Sequence, residues 1–204
     1  MNTQTELKRC TGRRGVNYCN KMLPVTAFNF RDKSKGIRAG QCYECKQQFD
    51  VQRKAIAIQI KKSFIRRIEN KAQCIVKGCS ARNNYKIDWA HFDHIEPTTK
   101  IDDISRLVKG KVKVTLEDLL TEIHKCNIVC AVHHQWNTKL QLHLQSKWAN
   151  KLDYYTIAGE SLQLIQDKGW AYSVLRKKQN DKIVIQAYQE TLEKEDLSKA
   201  VRWS

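Results

Sequence analysis

The chain has 204 residues, enough for one or two small domains with a modest core, and its 37 Lys and Arg against 21 Asp and Glu leave a formal net charge of +16. Such a surplus makes a polyanion, nucleic acid first, the expected partner. No apolar run is long enough to span a bilayer and the N-terminal stretch lacks a signal-peptide core, so the expectation is an intracellular, cytoplasmic protein with no membrane partner.

Residues 1–49 read as a cysteine module. Cys10 and Cys19 precede an aromatic, basic and glycine-containing stretch (Phe28, Phe30, Arg31, Lys33, Lys35, Gly36, Arg38, Gly40), and Cys42 and Cys45 close it. Eight cysteines in a chain of this size mean disulfides or zinc. A reducing compartment argues against disulfides, and the Cys42-x2-Cys45 spacing suits tetrahedral zinc on a tight turn. Zinc would staple a segment too small to bury much core, and Arg31, Lys33, Lys35 and Arg38 are candidate DNA contacts.

Residues 50–70 belong to a predicted helix that begins near Lys46. Ile56, Ile60, Phe64 and Ile68 recur every fourth position, with Phe49 further up the same stripe. The other faces carry Lys54, Lys61, Lys62, Arg66 and Arg67, with Asp50 and Glu69 as the local acids. A charge run on a helix is usually a solvated face. Here the imbalance predicts a linker helix that packs on one side and follows the phosphates of double-stranded DNA on the other.

Residues 71–145 hold the chemistry. Cys74 and Cys79 form a knuckle-like turn in which Gly78 supplies backbone freedom. Lys86 to His94 reads as a half-buried strand and Thr98 to Lys113 as a polar, basic surface loop. Thr115 followed by Asp118 marks a helix start, and Leu116, Leu119, Leu120 and Ile123 give a short amphipathic helix to Lys125. Ile128 to Cys130 reads as a second strand and the run after Ala131 as a helix. Five of the six histidines fall between Trp89 and Lys139. Asp93, His94 and His134 can then converge at one end of a hairpin, as a divalent-metal site with a base beside it. The Cys74–Cys79 knuckle needs two more ligands. Cys130 and His133 offer zinc-turn spacing, and Cys126 competes with His133 for an all-cysteine site. Residues 146–204 read as helical, with aromatics whose commonest role at such spacing is core packing or dimerisation.

The pattern Asp93-His94-Ile95-x-Pro97, with Lys125-Cys126-x3-Cys130-x2-His133-His134 after it, closely resembles the HNH (ββα-metal) nucleases, above all the phage-type, homing and restriction endonucleases. The module ahead of it resembles the zinc ribbon found before many phage HNH domains. Leu23-Pro24 and Phe28 match, while Cys10 and Cys19 are separated by eight residues instead of two. The resemblance implies an α+β fold: a small ββα-metal core with two structural zinc sites, flanked by helices. It implies that Asp93 and His134 hold Mg or Mn, that His94 is the general base, and that zinc is held by Cys10, Cys19, Cys42 and Cys45 and by Cys74, Cys79, Cys130 and His133. Relatives often carry Cys where His133 stands, which favours His133 over Cys126. The family's central Asn has no clean match: Lys125 stands near its usual place, and Asn127, two residues on, and Asn137, one turn after His134, are both candidates to complete the metal shell or orient His94. The activity implied is hydrolysis of DNA phosphodiesters. Cutting both strands at once needs two centres, which makes a homodimer the form to look for.

Overall fold

The structure, a computed structural model, describes residues 6–11, 18–79, 89–95, 99–110, 114–135, 137–138 and 174–195. It mixes helices with small two-stranded antiparallel sheets, an α+β architecture. The chain divides into two compact units, and the division falls between Ala57 and Ile58.

In the first unit β1 (Leu7–Arg9) pairs with β2 (Met22–Pro24), and β3 (Phe28–Asp32) pairs with β4 (Ile37–Cys42). The β3–β4 turn is built by Asp32, whose carboxylate accepts from the Ser34 and Lys35 amides, and by Gly36 at a φ of 66°. A left-handed φ is one that glycine adopts without a Cβ clash. The buried centre here is Phe28 with Cys10, Cys42 and Cys45. Three thiols surround Phe28 there, as expected of a small segment that relies on a staple more than on core volume.

The helix α1 (Tyr43–Lys71) contains the division between the units. The apolar stripe predicted for it is buried only in its second half: Ile60, Phe64 and Ile68 are core residues, whereas Ile56 is 36% exposed. The second half is therefore structural to the second unit rather than a free linker.

The second unit is built around β5 (Ala90–His94) and β6 (Cys126–Cys130), antiparallel, with Asp93 opposite Asn127 and His94 opposite Cys126. Residues 86–88 of the expected first strand lie outside the described residues. Between the strands come two helices, α2 (Ile104–Val108) and α3 (Leu116–His124). The first corrects the expectation of a surface loop from Thr98 to Lys113. Ile104, Leu107 and Val108 have i, i+3, i+4 spacing and are all buried, so the short apolar stripe overrides the polar composition around it. The second is capped as expected: Asp118 donates its amide to the Thr115 hydroxyl while its carboxylate accepts from the Thr115 amide. Residues 131–135 and 137–138 are helical. A final helix, α4 (Val174–Lys194), puts Val184 and Ala187 into the same core as Phe64, Trp89, Leu119 and Val129. The Tyr188 ring meets Phe64 edge-on at 6.0 Å, so this aromatic packs, as expected. Leu140, Leu142, Leu144, Trp148, Tyr154, Tyr155, Trp170 and Tyr172 lie outside the described residues. Among the described residues no helix is long and apolar enough to cross a membrane.

Candidate metal centres and catalytic site

Both cysteine clusters close. In the first unit the sulfurs of Cys10, Cys19, Cys42 and Cys45 all lie within 4.8 Å of one another, with Cys19 and Cys42 at 3.9 Å. Zinc–sulfur bonds of about 2.3 Å in a tetrahedron give sulfur–sulfur edges of about 3.8 Å, so the set fits zinc. The unusual spacing is absorbed by pairing: β1 and β2 run side by side, and the Cys10 amide donates to Lys21 O at 2.9 Å, which brings Cys10 back beside Cys19 across the insertion.

In the second unit Cys74, Cys79, Cys130 and His133 form an equivalent set, with His133 Nδ1 3.4 Å from Cys74 Sγ and 3.1 Å from Cys130 Sγ. Cys126 is not a member. Its buried thiol lies 3.4 Å from Glu122 O and packs in the core, which sets aside the all-cysteine alternative. Burial pushes the Cys74 thiol up to about 12 in the metal-free chain. A dication reverses that, because coordination deprotonates a thiol outright. The knuckle is buttressed by α4 in a way the sequence reading did not anticipate. Arg176 donates from Nη1 to the carbonyls of Cys74, Val76 and Cys79 at 3.0, 2.7 and 3.1 Å. The Asn180 amide exchanges two hydrogen bonds with the Gln73 backbone.

The third cluster sits where β5 meets the helical segment after β6. Strand alternation puts His91 and Asp93 on one face and Ala90, Phe92 and His94 on the other. On the first face Asp93 Oδ1 is 4.0 Å from His134 Nε2, the Asn137 amide donates to Asp93 Oδ2, and the His91 ring stacks on His134 with centroids 4.8 Å apart. Of the candidates for the central Asn, Asn137 is the one whose amide reaches Asp93. The 4.0 Å between Asp93 Oδ1 and His134 Nε2 is wider than the roughly 3.0 Å between neighbouring ligands of an octahedral ion with bonds of about 2.1 Å, so a shared ion would draw the two side chains closer together. Burial raises the Asp93 carboxyl above its ordinary value, with the Asn137 hydrogen bond and the neighbouring His134 acting against it. Burial, then His134, lowers the His91 imidazole.

His94 faces inward, its side chain only 6% exposed, with Nε2 2.9 Å from Glu122 Oε1. Glu122 is fully buried and accepts two further bonds, from the Ile101 amide at 2.8 Å and the Lys125 ammonium at 2.8 Å. Burial alone would raise its carboxyl, but the Lys125, Ile101 and His94 hydrogen bonds together outweigh it and hold the group below the ordinary carboxylate range. Glu122 was missed in the sequence, although a signal existed: it lies three residues after Leu119 and beside Ile123, a charge on the apolar face of α3.

The basic residues expected to follow phosphates divide. Lys54, Lys62 and Arg66 are exposed. Lys62 and Arg66, with Lys109 just past α2, line a groove of about 580 Å3 that His91, His134 and the carboxylates of Glu69 and Asp103 also line. Lys61 is a correction: it is 7% exposed and donates to Leu107 O at 3.2 Å, since its helical position turns it toward α2. Arg67 is another, held by the Glu190 and Glu195 carboxylates at 4.0 and 3.6 Å, so its charge is spent on α4.

Neither protein-family models, nor curated proteins, nor solved structures give a match to this chain.

Proposed function

We propose that this chain is a metal-dependent DNA endonuclease of the HNH type, in which Asp93 and His134 hold one Mg or Mn ion and zinc occupies the two cysteine-rich sites. The observation that carries this reading is the meeting of Asp93, His134 and Asn137 on one face of the hairpin, with His134 opening onto a groove where Lys62, Arg66 and Lys109 outnumber Glu69 and Asp103. A divalent ion bound there would neutralise charge on the phosphate and on the leaving oxygen. Asn137 fixes the Asp93 carboxylate by its amide hydrogen bond. The groove cations hold the flanking backbone without reading its sequence. His94 accepts the proton of the attacking water as the new P–O bond forms and the ester P–O bond breaks.

The test is digestion of supercoiled, linear and single-stranded DNA with Mg or Mn, against a chelated control, alongside a native mass to determine whether the active form is a homodimer. Cleavage only with the divalent ion is expected. The burial of His94, and its place on the strand face opposite Asp93, favour the rival reading, a zinc-stabilised DNA-binding protein with no activity. Absence of cleavage with every divalent ion tried, together with tight DNA binding, would establish that rival.

Both readings require counterion release when the groove meets phosphate. Lys62→Ala combined with Arg66→Ala should weaken DNA binding across all sequences and lower the slope of log K against log salt by about one for each cation lost. An unchanged slope would show that the exposed side of α1 is a solvated face and nothing more.

A further inference from the structure

The proposed mechanism gives no work to the most deeply buried charge in the second unit. Glu122 has no solvent exposure, yet its carboxylate is held by three donors: the Ile101 amide and His94 Nε2 on Oε1, and the Lys125 ammonium on Oε2. Lys125 is tied in turn to Thr99 O at 2.9 Å. The carboxylate is therefore fixed from the end of β5, from the turn between α3 and β6 and from the segment leading into α2. An ionised carboxylate only accepts hydrogen bonds, so the imidazole proton of His94 belongs on Nε2 and the lone pair on Nδ1. A carboxylate confined by backbone and ammonium donors can hold a ring in one orientation far better than solvent can.

We infer that Glu122 is a positioning residue for the base: its hydrogen bond to His94 Nε2 fixes the tautomer and the ring orientation in which Nδ1 accepts the proton from water. This rests on the nuclease reading above. Glu122 touches neither substrate nor metal in this scheme. Its contribution is to remove the wrong tautomer, whose Nδ1 carries a hydrogen and cannot accept. Lys125 and Ile101 keep the carboxylate from following the ring.

Two measurements test this. The first is the tautomer of His94 in the wild-type protein with zinc bound, read from one-bond and two-bond nitrogen–proton couplings of the ring. An Nε2-protonated ring is expected, and an Nδ1-protonated ring overturns the inference without any variant. The second compares Glu122→Gln with wild type. The variant should keep its zinc and its DNA affinity, lose about 10- to 100-fold in kcat with little change in KM, and show a mixture of His94 tautomers. A purely structural Glu122 would instead lower thermal stability while leaving the tautomer and the kcat of the folded fraction as in wild type, and that result also overturns the inference. The two levels separate cleanly. Failure of the wild type to cleave sinks the nuclease reading and, with it, any catalytic role for Glu122. Cleavage by wild type with an unchanged kcat in Glu122→Gln leaves the nuclease standing and removes Glu122 alone.

Discussion

Cys130→Ser should strip the second zinc and unfold the unit that begins at Ile58, whereas Cys126→Ser should leave that zinc bound and cost far less. The two cysteines stand at opposite ends of β6 and both are buried, so burial alone does not separate them. Partners do. Cys130 Sγ lies 3.1 Å from His133 Nδ1 within a set of four converging ligands, while Cys126 Sγ packs in the core against the Glu122 carbonyl. Structural zinc in small finger peptides contributes about 10–16 kcal/mol at neutral pH, against a total stability of about 5–15 kcal/mol for a typical domain. Losing one ligand of such a site therefore threatens the whole fold. A buried thiol exchanged for a hydroxyl costs about 1–3 kcal/mol, and less if the hydroxyl bonds the Glu122 carbonyl. Elemental analysis of purified protein should find two zinc ions per chain, falling to one in Cys130→Ser, with circular dichroism reporting the loss of structure. Equal zinc loss from Cys126→Ser would revive the all-cysteine alternative. One zinc or none in wild type would remove the ribbon or the knuckle from this account.

The two clusters able to hold a metal were legible in the sequence because such a site imposes local spacing: Cys42-x2-Cys45 and Cys130-x2-His133 are short-range patterns, and the structure had only to close each pair on another. Cys10 was harder, since eight residues separate it from Cys19, and what rescues it is β1–β2 pairing, a non-local contact. The helix α3 was legible for the same reason as the close pairs, through its own capping box. The helix α2 was not, because one turn with three apolar residues is too short to stand out from Lys100, Arg106 and Lys109 around it. The basic face of α1 was over-read. Lys61, Lys62, Arg66 and Arg67 look equivalent in sequence, yet α2 claims the first and the α4 carboxylates claim the last. Arg176, more than 90 positions after the knuckle whose carbonyls it binds, could not be paired with it by any periodicity.

His94→Ala should abolish Mg- or Mn-dependent cleavage, by about a hundred- to ten-thousand-fold, the usual contribution of one general base. Zinc content and DNA affinity should stay near wild type, because a base acts on water and carries little binding energy. The structure adds a condition on how this is read. Since His94 pairs with a fully buried carboxylate, truncating it leaves Glu122 with one donor fewer, and a loss of stability must be separated from a loss of chemistry by measuring kcat on folded protein. Asp93→Ala and His134→Ala should stop cleavage by a different route, lost metal affinity, so excess Mn should partly restore them and leave His94→Ala inactive. The groove side of the hairpin supplies the discriminating control. His91 shares a strand face with Asp93, stacks on His134 and is the other imidazole able to serve as a base. If His94→Ala cleaves at the wild-type rate while His91→Ala does not, the nuclease survives and its base changes, with the His94–Glu122 pair reduced to a strut between β5 and α3. If both variants cleave as wild type does, proton transfer to protein is not part of the rate, and the mechanism drawn here falls even though the metal site stands.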